Sequence, residues 1–567
     1  MLSAISHPMS QQTPPLQRKL EEIRREAEER DAGRRAKRTG YEYADLRIVP
    51  VSLEAIKNIP EAEARAAKAV AVESKQRKLA VAVFDPHAPQ TQETLRRLED
   101  QKFEVKVFVA SLSGLADAWK FYKFVGDVAK DITGKVEIEK KRFEELLRRL
   151  VTFTATRDEL AGADFHKLTT TDLFEIILAG ALANKVSDVH FEAGDEKTKI
   201  RFRLDGLLHD VFGDLPKRSY ESLVSRVKLL SGLKINVYGE PQDGRFTIEV
   251  PGKEIEMRVS IIPSEFGETV VMRVLDPDAI HVSMKDLGLR EDALLLVEKE
   301  ISRPNGLILN TGPTGSGKTT TLYSFLQTIA NPETKVITIE DPIEYHIPGI
   351  EQTQVNPEAG YTFATGLRAI MRQDPDVILV GEIRDAETAD IAMEASLTGH
   401  LVFSTLHAND AVASIPRLVD LGVKPQTAGP ALSLVIAQRL VRLLCPACKK
   451  AVPLSGKIKT RVENFLKRLP ENVSHPKIAE VSIYEPVGCE ACNNIGYKGR
   501  RGIFEFLKAG PEFEELILKE ASEVAMRRLA ESQGMTSLQD DGILKVLGGV
   551  TSFEEVEKMT GPIEWGE

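Results

Sequence analysis

One short segment, residues 312–319 with the sequence GPTGSGKT, constrains the fold more than any other part of this 567-residue chain. It matches the phosphate-loop pattern G-x-x-x-x-G-K-[ST], follows the apolar run GLILN and precedes the helical pattern TTTLYSFLQTI. The motif requires this context, because backbone N–H groups of the loop and the helix N-terminus together bind phosphate oxygens. We expect ATP as the ligand, with Lys318 reaching its β- and γ-phosphates and Thr319 holding Mg²⁺. The predicted nucleotide-binding residues are Gly312, Pro313, Thr314, Gly315, Ser316, Gly317, Lys318, Thr319 and Thr320.

Acidic residues end two further apolar strands. The segment DVILVGE places Glu382 where a carboxylate can stand beside Mg²⁺ at the edge of a sheet. The segment ITIEDPIE supplies Glu340, Asp341 and Glu344, and hydrolysis needs one carboxylate to orient and deprotonate the attacking water. Residue type alone does not choose among these three. Polar strand ends and solvated acidic loops without a catalytic role are the alternative interpretation.

Histidines and arginines supply further candidates. His400 and His407 flank the apolar strand LVFSTL, and one of them could hydrogen-bond to the γ-phosphate, although a histidine at a strand end is usually structural. A guanidinium from another domain or subunit can stabilise the charge of the transferred phosphate, while pairing with surface acids is the alternative. The candidate arginines are Arg201, Arg203, Arg245, Arg258, Arg273, Arg368 and Arg372.

The order of apolar segments predicts the fold class. Apolar strands alternate with helices in residues 279–510, which indicates a parallel sheet with helices on both faces. The strands of residues 166–278 alternate apolar residues with arginines, which favours an antiparallel sheet with one exposed face. The predicted chain is therefore a multidomain α/β protein. Its RecA-like phosphate-loop core, with a parallel sheet, is preceded by a small α+β domain and an N-terminal α/β adaptor.

Six segments follow from this pattern: a charged arm at 1–40, the adaptor at 41–130, a linker at 131–165, the α+β domain at 166–278, the core at 279–510 and a helical C-terminal domain at 511–567. The arm has two interpretations. It is a solvated segment, or it is a helix that docks on a partner through a thin apolar stripe that includes Leu16 and Leu20.

Composition restricts the partners. The net charge is −10 and aromatic residues make up 6% of the chain, which argues against a large nucleic-acid surface and against base-stacking platforms. No apolar run approaches the roughly 18 residues of a transmembrane helix, and the N-terminus lacks the features of a signal peptide. We expect a cytoplasmic protein. If it acts at a membrane, another protein must hold it there.

All four cysteines lie in two C-x-x-C pairs, within an insert at residues 445–492. In a long chain that stays in the cytoplasm, such pairs favour a metal over disulfides. Four thiolates suit a closed tetrahedral Zn²⁺ site with a structural role, whereas unliganded thiols and an iron–sulfur cluster are the alternatives. The predicted zinc ligands are Cys445, Cys448, Cys489 and Cys492.

Four segments in this order, GPTGSGKTTTLYSFL, ITIEDPIEY, RQDPDVILVGEIRDAETA and TGHLVFSTLHANDA, closely resemble the secretion ATPase family of type IV pilus assembly and type II secretion ATPases. The resemblance covers roughly residues 165–560 and implies a homohexamer with ATP bound between the α+β domain and the core. It further implies that Glu344 is the general base and Glu382 the acid on the magnesium side, with Glu340 and Asp341 in the same acidic box. The remaining implied residues are the histidine box His400 and His407 and the nucleotide-directed arginines Arg245, Arg258 and Arg273.

The function implied by this resemblance is a motor for type IV pilus assembly. Hydrolysis would act through an inner-membrane platform protein and, indirectly, on pilin-like subunits, so the chain would associate peripherally with the inner membrane. Type II secretion is the main alternative, and a DNA translocase or a nucleotide-sensing scaffold are weaker ones. Some adaptors of the family carry a cyclic-di-GMP-binding repeat that begins R-L-G. Residues 1–130 lack it, so we expect no cyclic-di-GMP site there.

Overall fold

The computed structural model describes residues 15–49, 51–75, 77–124, 135–136, 140–195, 197–250, 252–279, 282–471, 473–478 and 481–565. These residues form two compact units. The first unit holds the described residues up to Val151 together with Ala155–Arg203 and Leu208–Val274. The second holds Thr152–Thr154, Leu204–Leu207 and the described residues from Leu275 onward. Among the described helices, none has both the length and the apolar character needed to cross a membrane.

The first unit contains two sheets and nine helices among its described residues. Its helices are α1 Pro15–Thr39, α2 Leu53–Ile56, α3 Glu61–Ala66, α4 Pro89–Asp100, α5 Leu112–Trp119, α6 Lys140–Arg149, α7 Phe153–Ala161 (which begins in residues of the second unit), α8 Thr170–Ala183 and α9 Lys217–Leu230. Its strands are β1 Glu42–Tyr43, β2 Ala69–Lys75, β3 Lys78–Val83, β4 Glu104–Val109, β5 Lys135–Val136, β6 Asp188–Glu192, β7 Thr198–Leu204, β8 Leu207–Leu215, β9 Gln242–Val250, β10 Lys253–Ser264 and β11 Gly267–Leu275.

A four-stranded sheet of order β1-β4-β3-β2 forms the adaptor region. β1 and β3 run parallel to β4, while β2 runs antiparallel to β3. The C-terminal half of α1 belongs to the same body, because Ala32 and Ala36 are buried and Ser111 donates to the Glu29 carboxylate at 2.6 Å. This part of the predicted arm is therefore a packed helix. Residues 1–14 and the side chains of the predicted stripe at Leu16 and Leu20 lie outside the described part.

The second sheet has the order β5-β9-β10-β11-β6-β7-β8. Its β9–β10, β11–β6 and β6–β7 pairs are antiparallel, as the alternation of apolar residues and arginines predicted. Inward-facing residues of α8 and α9 bury its apolar face. A buried ion pair between Lys228 and Glu268, with 2.6 Å between Nζ and Oε1, joins α9 to β11. Burial lowers the pKa of Lys228 and raises the pKa of Glu268.

One buried amide joins the adaptor to the second sheet within the first unit. The side-chain oxygen of Asn236 accepts from the backbone N–H of Val51 at 2.9 Å, and its Nδ2 donates to the carbonyl oxygens of Leu46 and Val49. Asn236 is 4% exposed, and its neighbour Ile235 belongs to the adaptor's hydrophobic core. A buried amide with three partners fixes position as well as contributing energy. The adaptor is therefore a packed part of this unit.

The second unit contains a seven-stranded sheet. Its helices are α10 Glu291–Ile301, α11 Lys318–Ile329, α12 Phe363–Ile370, α13 Ala386–Leu397, α14 Ser414–Asp420, α15 Pro425–Ala431, α16 Gly456–Arg468, α17 Pro511–Lys519, α18 Glu523–Ser532, α19 Leu538–Leu547 and α20 Phe553–Thr560. Its strands are β12 Gly306–Thr311, β13 Val336–Glu340, β14 Glu351–Gln354, β15 Val377–Val380, β16 Leu401–Leu406, β17 Leu432–Leu444, β18 Lys450–Val452, β19 Ile483–Glu485 and β20 Tyr497–Lys508.

The large sheet has the order β14-β13-β15-β16-β12-β17-β20. All neighbouring pairs are parallel except β17 with β20, so the predicted parallel sheet is present with one antiparallel edge. β12, β13, β15 and β16 are buried at every position, which is typical of strands covered by helices on both faces. Two separate hydrophobic clusters lie on the two faces. The small antiparallel sheet of β18 and β19 lies within the cysteine insert, as does α16.

We predict that Asn236→Ala loosens the adaptor region. The substitution leaves the buried Val51 N–H without its acceptor, a change that typically costs about 1–3 kcal/mol. Hydrogen–deuterium exchange should show faster exchange at Val51 and its neighbours, and urea unfolding should show a lower free energy of unfolding for the first unit. Asn331→Ala, at an exposed turn of the second unit, is the control and should change neither. Unaltered exchange at Val51 in the Asn236 variant would contradict the predicted role.

Candidate active site

The candidate residues meet at one edge of the large sheet because of its parallel register. β12 pairs with β16 from Gly306 to Thr311, and β15 pairs with both β13 and β16. The carboxyl ends of parallel strands lie at the same edge, where ligands bind in open α/β sheets. The loops that leave these ends contain the phosphate loop, the acids after Ile339, the acid Glu382 and His407.

The phosphate loop lies between β12 and α11, as predicted. Gly317 caps α11 with φ +88°, a conformation that favours glycine. Gly312 has φ +149°, and a Cβ there would meet the carbonyl oxygen of Gln438 at 2.5 Å, so no larger residue fits. Pro313, Thr314 and Gly315 are exposed at the tip. The backbone N–H groups at the start of α11 are therefore available to an anion.

Lys318 folds back onto its own loop. Its Nζ donates to the carbonyl oxygen of Gly312 at 2.8 Å and of Pro313 at 3.2 Å. Burial lowers the pKa of Lys318, and the nearby Glu382 carboxylate opposes that shift. The ammonium group thus stands in a partly desolvated place beside the helix N-terminus, where a phosphate is a stronger partner than two carbonyl groups. Thr319 and Thr320 follow in the first turn of α11 and are partly exposed.

Gln438, which the sequence did not single out, braces the loop from β17. Its side-chain oxygen accepts from Thr321 Oγ1 at 2.8 Å and from Asn310 Nδ2 at 3.2 Å. Its Nε2 stands 2.9 Å from the position of a Cβ on Gly317. Gln438 is 2% exposed, so this brace is buried under the loop. It connects the strand before the loop with the helix after it.

Four charged or polar side chains gather beyond the ends of β13, β15 and β16. Glu382 pairs with Arg384, and Arg384 Nη1 also lies 3.4 Å from Asp341 Oδ2. His407 Nε2 lies 3.5 Å from Glu382 Oε2. The structure therefore brings together Glu382, Asp341 and His407 from the predicted set and adds Arg384. Carboxylate oxygens beside a phosphate loop are the ligands that Mg²⁺ prefers in proteins.

Glu340 differs from the other acids, because it is 4% exposed and its carboxylate is fully engaged. Tyr323 and Thr338 donate to it, and Gln352 Nε2 donates at 3.2 Å. Burial raises the pKa of Glu340, and the neighbouring Glu344 charge adds to the shift. Enclosed by these donors, Glu340 holds its neighbours in place. The geometry does not offer it to water as a base.

Glu344 lies four residues beyond Glu340 and is only partly buried. The rings of Tyr323 and of Tyr345, the residue after Glu344, meet edge to face with 4.6 Å between centroids. Tyr323 comes from α11, one turn after Thr319. The helix that begins at the phosphate loop thus packs against the residue that follows Glu344. The sequence did not predict this contact, which joins residues far apart in the chain.

His400 does not join this group within the chain. It immediately precedes β16, so it lies at the opposite end of that strand from His407, and its Nδ1–H donates to the Ala395 carbonyl oxygen at 2.9 Å. Of the two histidines of the predicted histidine box, only His407 therefore lies beside the acids within a single chain. The physical reason is that a six-residue strand separates its two ends by about 20 Å.

The candidate arginines of the first unit lie on its antiparallel sheet. Arg273 Nε donates to Asp188 at 3.1 Å, and Arg203 pairs with the same carboxylate at 3.3 Å. Arg258 on β10 lies opposite the exposed Arg245 on β9 and has Glu256 at 3.5 Å. The remaining candidates pair locally: Arg201 with Glu192 and Asp210, Arg368 with Glu387, and Arg372 with the Arg368 carbonyl oxygen.

A cavity of about 200 Å³ adjoins the phosphate loop in the second unit. Its lining includes Ser316 from the loop, Arg439 and Arg442 from β17, and Lys558 from α20. Arg439 Nη1 donates to the Met559 carbonyl oxygen at 2.9 Å, which ties β17 to the end of α20. The lining also includes Asp205 and Glu555, and Glu555 pairs with Arg442, so the recess beside the loop carries both signs of charge. Sequence reasoning missed these cations because they come from elements more than 100 residues beyond the motif.

The four cysteines converge. Their Sγ atoms all lie within 4.8 Å of one another, with 3.9 Å between Cys445 and Cys489, 3.9 Å between Cys448 and Cys492 and 3.8 Å between Cys489 and Cys492. A tetrahedral ion with metal–sulfur bonds of about 2.3 Å separates its ligands by about 3.8 Å. Disulfides would need about 2.05 Å. Backbone N–H groups of Gly488 and Gly496 donate to the sulfurs at 3.3 and 3.2 Å. The donor set fits a zinc ion.

Comparison with known proteins identifies relatives of this chain. The chain is 46% identical over 389 residues to a type II secretion system protein E of Pseudomonas aeruginosa, covering 68% of this chain and 75% of that protein. It is 37% identical over 539 residues to the type IV pilus assembly ATPase PilB of Myxococcus xanthus, covering 93% and 90%. The X-ray structure of the ATPase DotB of Legionella pneumophila shares the fold, with a TM-score of 0.51 at 21% identity, covering 70% of this chain and 97% of that one.

Two family descriptions match separate parts of the sequence. The MshEN domain matches residues 39–120, which include the four strands of the adaptor sheet. That match does not by itself decide whether a cyclic-di-GMP site is present, so the expected absence stays a prediction. The type II/IV secretion system protein family matches residues 166–558, more than two thirds of the chain. On this match and on the two relatives, the chain belongs to the type II/IV secretion system protein family.

Proposed function

We propose that this chain is an ATPase motor that drives type IV pilus assembly. The observation that carries the proposal is the meeting of the phosphate loop with Glu382, Asp341 and His407 at the carboxyl edge of the parallel sheet. A loop that binds phosphates, beside carboxylates that can hold Mg²⁺, supplies the parts that phosphoryl transfer to water requires. Membership of the secretion family supports ATP hydrolysis as the reaction.

Pilus assembly and type II secretion both have support among the relatives. The relative that covers the greater share of this chain, 93%, is the one named a type IV pilus assembly ATPase. The relative with the higher identity, 46%, is named a type II secretion system protein. We favour pilus assembly because that likeness includes the N-terminal region, and we retain type II secretion as the alternative. Partners would decide between them, since the hydrolysis chemistry is common to both.

We propose the following roles for the chain's own residues. Lys318 and the N–H groups at the start of α11 bind the phosphates, while Thr319, Glu382 and Asp341 hold Mg²⁺, which neutralises phosphate charge when bound. Glu344 orients and deprotonates the attacking water, because it is a partly exposed acid beside Tyr345, whose ring packs against Tyr323 of α11. His407 supports the Glu382 carboxylate.

The oligomer and its partners are part of the same proposal. The working form is a homohexamer, and Arg245, Arg258 or Arg273 supplies positive charge to the nucleotide from the first unit. The hexamer is cytoplasmic and lies at the inner membrane through a platform protein, which passes motion on to pilin-like subunits. We expect no direct nucleic-acid contact and no cyclic-di-GMP binding by the adaptor.

Zn²⁺ is the proposed occupant of the cysteine cluster, where it would fix the fold of the insert. The cluster offers four sulfurs and leaves no position for a substrate, so its role is structural. The core packed near it is small, since it consists of a few residues of the insert and of α19 and α20. A metal compensates where a segment this short cannot bury enough apolar surface.

Lys318→Ala should abolish tight ATP binding. The substitution removes the ammonium group that faces the phosphates, and a charge-assisted pair of this kind is worth about 1.5–3 kcal/mol or more when partly buried. Binding of a fluorescent ATP analogue should weaken at least tenfold, whereas Lys299→Ala, on the exposed face of α10, should bind like the unmodified chain. Retained tight binding in the Lys318 variant would contradict the phosphate-loop assignment.

Steady-state Mg-ATPase activity against protein concentration, with light-scattering mass on each sample, tests the motor. Specific activity should rise as hexamers form, because the proposed motor works by opening and closing the interfaces between its subunits. Glu344→Gln should reduce turnover by about two orders of magnitude or more, the range expected for a general base. Glu351→Gln, which changes an exposed carboxylate on the neighbouring β14, is the matched control and should leave turnover unchanged.

The outcomes separate the proposal from its rivals. Monomers that hydrolyse ATP as fast as hexamers would favour a simpler ATPase. Turnover unaffected by Glu344→Gln would favour a sensing scaffold or a different base. Stimulation of turnover by DNA would favour a translocase.

Cys445→Ser should remove the metal and lower thermal stability. A serine oxygen is a poor replacement for a thiolate in a four-sulfur site, so bound zinc should fall from one ion per chain to much less than one. Elemental analysis and thermal unfolding measure the two effects. The unmodified chain treated with a strong chelator is the control and should show the same loss of stability. One zinc per chain in both proteins would refute the ligand role.

A further inference from the structure

A buried carboxylate connects the loop of the candidate active site to the C-terminal helices. Glu505 lies on β20 and is 4% exposed. Its Oε1 accepts from the backbone N–H of Ala411 at 2.9 Å, and its Oε2 accepts from the backbone N–H of Leu538 at 3.1 Å. A buried carboxylate is costly unless both oxygens find donors. These two bonds, to segments far apart in the chain, therefore offset the cost of its burial.

The first of these segments, residues 406–411, touches both parts of the site. The backbone N–H of Ala408 donates to Thr311 Oγ1 at 2.9 Å, and Thr311 is the residue before the phosphate loop. His407 in the same segment has its Nε2 3.5 Å from Glu382 Oε2. We call residues 406–411 the histidine loop. Its position thus decides where His407 stands relative to Glu382.

The second segment belongs to the C-terminal helices. Leu538 is the first residue of α19, so its N–H is one of the donors that a helix start leaves without an intrahelical partner. A second tie runs between the same regions, because Asp410 Oδ2 of the histidine loop lies 3.3 Å from Arg527 Nη2 on α18. The histidine loop is therefore held from one side by Thr311 and from the other by Glu505 and Arg527.

We propose that Glu505 is a positioning residue for ATP hydrolysis: it holds the histidine loop so that His407 stays beside Glu382, and it couples that loop to the start of α19. Glu505 acts through Ala411 and touches neither the phosphate loop nor the acids. This inference rests on the proposed function, since it assigns a role within the same reaction. The C-terminal helices thereby become part of what sets the turnover rate.

Protonation of Glu505 should break this arrangement. Burial, followed by the charge of Asp410, raises the pKa of Glu505 to about 7, while the N–H groups of Ala411 and Leu538 and the charge of Arg527 oppose the shift. As pH falls through about 7, one oxygen becomes an O–H donor that faces an N–H, so one of the two bonds is lost. The ionised form, present above this pH, is the form that holds the loop.

The test compares Glu505→Gln with Glu300→Gln in the full chain, using MgATP as the substrate. Glu300 is an equally buried carboxylate of the second unit, on α10, with Arg303 as its partner at 2.9 Å. At pH 8, Glu505→Gln should lower kcat about tenfold, the factor that one hydrogen bond is worth, with KM unchanged within about twofold. Glu300→Gln should leave both constants as they are in the unmodified chain.

The pH dependence of kcat is a measurement that Glu505→Gln would leave unchanged if the role of Glu505 were merely structural. The unmodified chain should lose kcat as pH falls through about 7, and Glu505→Gln should lack that acidic limb. A limb that both share belongs to another group. Arg527→Gln removes a cation that opposes the shift, so it should move the limb to higher pH. Because Arg527 is about half exposed, this variant should fold even if Glu505→Gln does not.

Three outcomes would overturn the inference. The first is that Glu505→Gln has the same kcat and the same acidic limb as the unmodified chain, even if its melting temperature is lower. The second is an equal loss of kcat in the Glu300 variant. The third is an acidic limb that stays in place in Arg527→Gln. An unmodified chain without Mg-ATPase activity would instead overturn the proposed function, and the inference with it.

Discussion

Parallel backbone pairing of β12, β13, β15 and β16 is the constraint on which the rest of the second unit depends. Register fixes where each strand ends, so it fixes which four loops share the edge. No side chain of the site needs to be close in sequence to another, and Lys318, Asp341, Glu382 and His407 come from four separate loops. The apolar, fully buried strands stabilise that register, because a slip of one residue would move polar groups into the core. The chemistry of the edge is therefore a consequence of how the core packs.

The sequence predicted those parts of the site that depend on local order. A phosphate loop can be predicted because strand, glycines and helix are contiguous, and Glu382 because an apolar strand ends in acid. Arg384 had a weak signal, since it stands only two residues after Glu382. The hydrogen bonds of Gln438 under the phosphate loop and the hydrogen bond from Tyr323 to Glu340 had no signal in the sequence, because they depend on which elements pack together. Residue type could not distinguish the three acids after Ile339. Telling them apart requires the burial of each side chain, which residue type does not reveal.

The same reasoning explains the histidines and the N-terminal region. The two candidate histidines flank one strand and therefore lie at its two ends, so of the two only His407 reaches the edge with the acids. The charged arm has too little apolar sequence to predict packing. Its alanines are nevertheless buried against the adaptor, and the amide of Asn236 joins that adaptor to the sheet beyond it. Small residues and single amides carry little periodic signal, so these contacts were not predictable.

Lys318 shows how such a site can respond to its ligand. Its ammonium group donates to two carbonyl groups of its own loop, and burial lowers its pKa. A phosphate would offer the ammonium group a charged acceptor in place of two neutral carbonyl groups, at a helix N-terminus that favours anions. The exchange frees the carbonyl groups of Gly312 and Pro313. Gly312 packs against the backbone of β17, and Thr311 before it contacts the histidine loop. A change of hydrogen-bond partners at the phosphate loop therefore takes place in contact with the elements that position the acids.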